Sequence, residues 1–419
     1  MPYDPPRPRG WPGGFAAGRA NHRAILILAS LQGIRPIELH ALAWRESTAE
    51  ACLARVLEGT AGTPADREFT DRVDPKAVDA ATRAAGARVV SPGDDEYPSA
   101  LEDLADPPVA LFVRGKDMDP AEVRVAVVGS RSASPLGRDV ARDLGRGLAL
   151  AGAGVVSGAA RGIDFASHAG ALDAEGSTIA VLGSGIDVGY PASSRDLIDR
   201  IATTGSVVSE YPPGVPAEPH RFPARNRIVV GLSRALVVVE GAERSGSMIS
   251  VTHALSIGRE VFAVPGPVTS PLSQVPHRLI REGATMIRGP RDLLHDLGFD
   301  DEALAAGAVS KLSEADRGLL AVLAGPLLPE AVATEAGMAL HEAVAALMRL
   351  ELKGLVRSLG GRYEPTTAAN HAIEHAERQA DEAQDSGIHP APVRRGMGPE
   401  ARPSSERRGD GSSIIRPMT

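Results

Sequence analysis

The sequence contains little cysteine, lysine or aromatic side chain, and it has no long apolar run. Cys52 is the single cysteine in 419 residues, which excludes an internal disulfide and a zinc ribbon and fits a reducing compartment. Phe, Trp and Tyr together make up 3% of the chain, so we expect aliphatic cores. No apolar run is long enough to span a bilayer, and the proline- and glycine-rich N-terminus lacks a signal core. We therefore expect a soluble, cytoplasmic protein without a membrane segment.

Positive charge is carried almost entirely by arginine, because lysine occurs only at Lys76, Lys116, Lys311 and Lys353. The formal net charge is −8, which argues against a general polycation. A local basic cleft remains compatible with that total, since binding follows the local field. Where arginines cluster, they favour bidentate contacts to phosphate.

Composition and hydrophobic pattern divide the chain into five segments. Residues 1–20 are rich in proline and glycine and predict a disordered arm. Residues 21–86 have a helical pattern, 87–300 alternate between strands and helices, 310–366 form a second small unit, and 380–419 predict a disordered tail.

The central segment predicts a Rossmann-like α/β domain with a doubly wound, mainly parallel sheet. Short apolar runs, typical of buried strands, occupy 111–113, 125–128, 154–156, 178–182, 206–209, 235–239, 261–264 and 286–287. Helical patterns separate most of them, at 136–151, 163–174, 194–203, 225–232, 248–257 and 277–282.

The two flanking segments predict small helical units. Gly33 lies in a turn between two helical patterns, as in a SAM-like or helix-hairpin-helix domain that binds a DNA phosphate through backbone amides. Arg35 stands where that motif has a second glycine, so a plain helical domain is the favoured interpretation. Residues 314–365 predict three helices and a two-stranded hairpin, the order of a winged helix.

Polar, glycine-rich loops follow five successive strands of the predicted sheet. The carboxyl ends of parallel strands meet at one edge, where open α/β sheets bind ligands. Glycine loops, helix N-termini and guanidinium groups suit phosphate oxygens. We therefore predict an anion-binding surface formed by Gly129, Ser130, Arg131, Ser157, Gly158, Arg161, Gly162, Arg195, Arg221, Arg225, Asn226, Arg227, Ser245, Gly246 and Ser247.

Simpler interpretations of single residues remain open. Arg225 and Arg227 taken alone could be surface charges, one of them paired with Glu240. Asp164 more often caps a helix than acts as a base. The chain lacks the P-loop motif, a complete G-x-G-x-x-G and metal-ligand spacing, so we expect no nucleotide cofactor, no metal and no catalytic residue.

Several motifs in order resemble the DNA-processing protein A (DprA/Smf) family. The resemblance covers 97–297 and rests on VAVVGSR, SGAARGIDFASHAGAL, AVLGSGIDVGYP, SEYPPG, FPARNRIVVGLSRALVVVE, RSGS, GREVFAVPG and LIREGA. The chain departs from the family's usual pattern at Ala159, where leucine is common, and at 249–251, which read Ile-Ser-Val.

The resemblance implies a non-enzymatic, cytoplasmic protein that binds single-stranded DNA. It also implies a homodimer that protects incoming DNA and loads the RecA recombinase in natural transformation. Family DNA-binding positions correspond to Arg131 and, by position, to Arg161, Arg195, Arg225 and Arg227. Phe165, Tyr190 and Phe222 are candidate platforms for base stacking.

Two other functions are possible on related folds. Phosphoribohydrolases acting on nucleoside monophosphates carry P-G-G-x-G-T-x-x-E, but residues 240–250 read EGAERSGSMIS, without the glycine pair and the final glutamate. The predicted winged helix would suit a duplex-DNA regulator, but Arg349, Lys353 and Arg357 supply few positive charges for that role.

Overall fold

The computed structural model describes residues 8–243, 245–299, 312–323, 325–352, 355–366 and 369. The predicted tail over 380–419 lies outside these residues, as do residues 1–7 of the predicted arm. Within the described residues, no helix combines the length and the apolar character needed to cross a bilayer.

Residues 8–17, expected to belong to a disordered arm, instead pack against the elements that follow. Phe15 is only 1% exposed, and its ring stacks on Trp11 with the ring centroids 4.6 Å apart. The Gly10 amide donates to the Glu102 carbonyl oxygen at 3.1 Å. The prediction was wrong here because it weighed the proline and glycine content above the two aromatic residues.

The N-terminal helical segment contains α1 (Gly18–Leu28), α2 (Pro36–Glu46), α3 (Ala49–Leu57), α4 (Pro64–Thr70) and α5 (Pro75–Ala84). Thr48, Thr63 and Asp74 cap the last three of these helices. In the turn before α2, the Gly33 amide donates to Asp66 Oδ1 at 2.8 Å. A carboxylate therefore already occupies the amide that a helix-hairpin-helix would offer to a phosphate.

A nine-stranded sheet forms the centre of the described chain, in the order β1-β2-β6-β5-β4-β3-β7-β8-β9. Strands β3 to β9 run parallel, whereas β1 and β2 pair in antiparallel fashion at one edge. The strands are β1 (Ala87–Val90), β2 (Leu111–Gly115), β3 (Arg124–Val128), β4 (Gly154–Ser157), β5 (Thr178–Leu182), β6 (Ser206–Ser209), β7 (Ala235–Val238), β8 (Glu260–Ala263) and β9 (Thr285–Met286).

Helices cover both faces of this sheet. They are α6 (Pro135–Leu150), α7 (Ile163–Asp173), α8 (Arg195–Thr204), α9 (Arg221–Gly231), α10 (Ser247–Ser256), α11 (Gln274–Arg281) and α12 (Pro290–Asp296). Val125 and Val127 of β3 join an apolar cluster with α6, α7 and α12, whereas Ala126 and Val128 join a second cluster with α9, α10 and α11. The alternation follows from the two-residue period of a strand. The predicted α/β fold with a large, mainly parallel sheet is confirmed.

The strand order reverses at β3. Its neighbours are β4 on one side and β7 on the other, so the loops that leave β3 and β7 diverge to opposite sides of the sheet. Such a reversal opens a crevice beyond the carboxyl ends of the strands.

The C-terminal segment contains α13 (Glu314–Val322), α14 (Pro329–Glu335), α15 (Leu340–Leu352) and the antiparallel hairpin of β10 (Val356–Leu359) and β11 (Arg362–Pro365). Leu319, Val332, Leu347 and Val356 share its apolar cluster. Three helices and a hairpin are the elements that predicted a winged helix, and that identification stays a prediction, as do the domain boundaries.

Candidate functional site

The loop that follows β3 is held by Glu240, which lies after β7. Glu240 accepts hydrogen bonds from the Ser134 amide at 2.9 Å and from the Ser134 hydroxyl at 2.6 Å. Ser134 in turn caps α6 by accepting from the Gly137 amide at 2.9 Å. Glu240 therefore braces two loops at the strand reversal, which differs from the simpler interpretation that it pairs with an arginine.

The loop that follows β4 packs directly against the β3 loop. Ser157 is buried and donates its hydroxyl to the Val127 carbonyl oxygen at 2.7 Å. Gly162 has a φ of 80°, and a Cβ there would lie 2.8 Å from the Arg131 carbonyl oxygen. Only glycine therefore suits this position, for both backbone conformation and space.

Arg225 lies buried beneath these loops, with only 3% of its surface exposed. Its Nη1 donates to the Val181 carbonyl oxygen, and it interacts electrostatically with Asp164. A Cβ added at Gly158 would overlap the guanidinium carbon and both terminal nitrogens of Arg225. The glycine at 158 is thus the space into which the guanidinium fits.

Burial perturbs both members of this pair. Removal from water lowers the pKa of Arg225 to about 10, although attraction to Asp164 opposes the shift. Burial also raises the pKa of Asp164, although Arg225 and the amide of Gly158, which donates to Asp164 Oδ2 at 3.2 Å, oppose that shift. The pair forms the floor of the site.

Arg131 is exposed at the rim, above an aromatic pair. Its guanidinium carbon lies 5.0 Å from the centroid of the Phe222 ring, within the range of a cation–π contact. The Phe222 and Tyr190 ring centroids are 5.3 Å apart, and Tyr190 is 50% exposed. The rim therefore combines a guanidinium with an accessible aromatic surface.

These loops enclose a cleft of about 500 Å³ at the reversal of strand order. The first turn of α10 forms one wall, where the Ser247 hydroxyl donates to Ser245 Oγ at 2.9 Å. Of the residues predicted from the sequence, the cleft is lined by Gly129, Ser130, Arg131, Gly158, Arg225, Asn226, Ser245, Gly246 and Ser247.

Arg221 and Arg227 belong to α9 but do not line the cleft. Arg227 is 2% exposed and forms two hydrogen bonds to Glu210, at 2.9 and 2.7 Å. Its Nε lies 3.1 Å from Asp106 Oδ2. Burial alone would lower the pKa of Arg227, but the two carboxylates raise it. Arg221 is buried against Tyr211 and donates to Gln32 Oε1 at 3.0 Å.

The other predicted residues lie outside the lining of the cleft. Arg161 is exposed in the β4 loop, and Arg195 is exposed at the start of α8. Ser157 and Gly162 support the loops from below. The structure therefore brings two of the predicted arginines, Arg131 and Arg225, into one cleft.

Sequence reasoning missed two of the residues that line the cleft. Asp164 was interpreted as a helix cap, and its electrostatic interaction with Arg225 joins residues 61 positions apart (225 − 164), which no local pattern reveals. Ser250 lies one turn into α10, on the face that lines the cleft. Its spacing of three residues from Ser247 was the available signal. Among the described residues, no group of three His, Cys, Asp or Glu side chains could hold a metal ion.

The comparisons with known proteins agree on one family. A sequence model of DNA recombination-mediator protein A matches residues 88–298. The chain is 40% identical over 298 residues to the DNA processing protein DprA of Mycobacterium tuberculosis, covering 66% of this chain and 77% of that protein. It is 38% identical over 291 residues to the protein Smf of Escherichia coli, covering 67% and 78%.

A solved structure gives the same answer. The X-ray structure of DNA processing protein A from Streptococcus pneumoniae matches with a TM-score of 0.57 and 34% sequence identity, covering 68% of this chain and 99% of that chain. The family match extends over the sheet and its strand-end loops, including the cleft. The chain therefore belongs to the DNA recombination-mediator protein A (DprA/Smf) family.

Proposed function

We propose that this protein is a non-enzymatic mediator that binds single-stranded DNA along the cleft at the strand reversal. One observation carries the proposal: an exposed guanidinium, Arg131, and a buried one, Arg225, converge on one cleft from separate elements. Family membership supports the same role, since the relatives are named as DNA processing proteins.

The electrostatics of the cleft favour a phosphate backbone despite the net charge of −8. Arg225 is held in a low-dielectric setting, where its field is screened less than that of a surface charge. The first turn of α10 adds the positive end of a helix dipole. Each neutralised phosphate should therefore release counterions and make binding dependent on salt.

The predicted residues then divide by position. Arg131, Arg225, Asn226 and the loops 129–130 and 245–247 would contact DNA directly, together with Gly158. Arg161 and Arg195 would extend the contact over the exposed surface, whereas Ser157, Gly162, Arg221 and Arg227 would shape the loops. Tyr190 and Phe222 would stack on bases beside Arg131.

We also propose the wider role in cells that the family implies. The protein would act in the cytoplasm as a homodimer, protect incoming strands and load the RecA recombinase in natural transformation. The helical segment 21–86 and the winged helix over 310–366 would flank the DNA-binding domain over 87–300. The C-terminal segment would serve protein contact more than duplex binding, because the positive charge there is sparse.

The Arg131→Ala variant tests the site. Loss of a charge-assisted contact should weaken binding of single-stranded DNA at least about tenfold. The slope of log affinity against log salt should fall by about 0.7. The measurement is a fluorescence-anisotropy titration at several salt concentrations, with single- and double-stranded DNA compared in parallel.

Arg234→Ala is the matched control. Arg234 is exposed and directly precedes β7, so it lies at the amino-terminal end of the strands, opposite the cleft. We expect its affinity and salt slope to equal those of the parent. If Arg131→Ala also binds like the parent with an unchanged slope, the cleft is not the DNA site.

A further inference from the structure

Two of the residues that line the cleft each have a buried polar atom without a hydrogen-bond partner among the described residues. These orphan atoms are Arg225 Nε and Ser250 Oγ. Ser250 is 1% exposed and Arg225 3% exposed, and both line the cleft. Buried polar groups are usually paired, and a ligand in the cleft would pair these two.

Their setting specifies an anion. Ser250 lies one turn into α10, and Ser245, Gly246 and Ser247 bring the N-terminal end of that helix to the same cleft. Arg225 contributes a guanidinium, and Arg131 a second one at the rim. A hydroxyl donor, a helix N-terminus and two guanidinium groups together form a receptor for a phosphate group.

The size and depth of the cleft favour one nucleotide. A volume of about 500 Å³ lies within the ordinary range of small-molecule sites, about 300–1,000 Å³. The orphan atoms are buried, and the apolar residues Val128 and Val229 also line the cleft. An internal phosphodiester reaching the orphan atoms would need room for a sugar on each side, whereas a terminal phosphate needs an exit in one direction only.

We propose that the floor of the cleft binds the 5′-phosphomonoester of a single nucleotide. The phosphate would accept hydrogen bonds from Arg225 Nε and Ser250 Oγ, and the base would lie towards Phe222 and Tyr190 at the rim. Two sources share this chemistry: a free nucleoside monophosphate and the 5′-phosphorylated end of a DNA strand. This inference concerns the same cleft as the proposed function and adds that the phosphate bound there is a 5′-phosphomonoester.

Calorimetric titration of the full chain tests the free nucleotide, with thymidine 5′-monophosphate, thymidine and inorganic phosphate as separate probes. We expect the monophosphate to bind and thymidine not to bind. Inorganic phosphate should bind more weakly than the monophosphate, because it lacks the base. If inorganic phosphate binds as tightly, the cleft is a plain anion site and the inference fails.

Competition between oligothymidylates tests the strand end. Three strands of equal length carry a 5′-phosphate, a 5′-hydroxyl or a 3′-phosphate with a 5′-hydroxyl. Tighter binding of the first strand alone supports the inference with the strand end as ligand. Binding of the monophosphate without a difference between strands supports it with the free nucleotide as ligand.

Ser250→Ala links the effect to the orphan atom. The hydroxyl is unpaired in the free protein, so its loss should leave the Tm unchanged or slightly raised. Affinity for the monophosphate, or the advantage of the 5′-phosphorylated strand, should fall at least about tenfold. Ser256→Ala is the matched control, because Ser256 is exposed at the far end of the same helix.

The outcomes separate this inference from the proposed function. If all strands bind equally, no monophosphate binds and Ser250→Ala is silent, the inference is wrong while DNA binding by the cleft stands. If Ser250→Ala lowers the Tm without changing ligand affinity, Ser250 is structural and the inference is also wrong. If neither a strand nor the monophosphate binds, both proposals fail. If the monophosphate binds but no strand does, the proposed function fails and the inference stands with the free nucleotide as ligand.

Discussion

One methyl group added at position 158 should displace Arg225 from the floor of the cleft. The Cβ of an alanine there would overlap the guanidinium carbon and both terminal nitrogens of Arg225. The φ of Gly158 lies outside the left-handed region, so alanine fits the backbone, and the conflict is with the side chain of Arg225. Gly158→Ala therefore perturbs the position of Arg225 without removing its charge.

Gly158→Ala should lower both the stability of the protein and its affinity for DNA. Overpacking a buried site typically costs about 1–3 kcal/mol, and here the guanidinium also loses its bond to the Val181 carbonyl oxygen. A displaced Arg225 cannot contact a phosphate at the floor, and a charge-assisted contact contributes about 1.5–3 kcal/mol. We therefore expect affinity for single-stranded DNA to fall by at least about tenfold.

Anisotropy titration and thermal unfolding measure the two effects. Gly289→Ala is the control, because its φ of 173° is extended and a Cβ there meets nothing within 4 Å. We expect Gly289→Ala to match the parent in both assays. A folded Gly158→Ala variant that binds DNA with the parental affinity and salt slope would refute the proposal that Arg225 contacts DNA.

Two further predictions concern buried titratable side chains away from the rim. Arg227→Ala should lower the free energy of unfolding by about 3 kcal/mol, because Glu210 and the partly exposed Asp106 lose their partner, while DNA affinity per folded molecule changes little; urea unfolding and anisotropy together check this. Burial lowers the pKa of His168 to about 3, below the unfolded value near 6.5, so its contribution to stability is complete above pH 6.5 and decreases as the pH falls towards 3. Between pH 7 and pH 5 the loss should be about 2 kcal/mol, and it should be absent from the urea-unfolding profile of His168→Gln; a parallel pH profile in that variant would contradict the assignment.

The parallel sheet was predictable because its central strands, such as β3, β5 and β7, are short apolar runs that are buried on both faces. The predicted strands at 178–182 and 206–209 coincide with β5 and β6. Strand β1 was not predicted, because a segment of four residues is too short to show the two-residue hydrophobic period of a strand. Its pairing with β2 depends on a contact across the chain.

The start of α9 differs from the prediction, which placed the helical pattern at 225–232. The helix begins at Arg221, and Pro223 occupies its first turn, where a missing N–H costs no intrahelical bond. Arg225 therefore lies in the second turn, and its side chain rather than its backbone amide faces the cleft.

The two arginines of this helix show why the site could be predicted only in part. Arg225 and Arg227 are two positions apart, and residues at that spacing do not share a helix face. The sequence predicts both equally as DNA-binding residues, since both are arginines beside a strand end. The partners that separate them are distant: Glu210 is 17 positions from Arg227, and the Asp106 carbonyl oxygen that accepts from its Nε is 121 positions away. The charge of Arg227 is therefore neutralised by the carboxylates beside it. Arg225 interacts with one buried carboxylate, Asp164, and its Nε at the floor of the cleft has no hydrogen-bond partner. The proposed capacity of Arg225 to bind a phosphate follows from that deficit of negative charge, which exists only once the sheet has brought β3, β4 and α9 together.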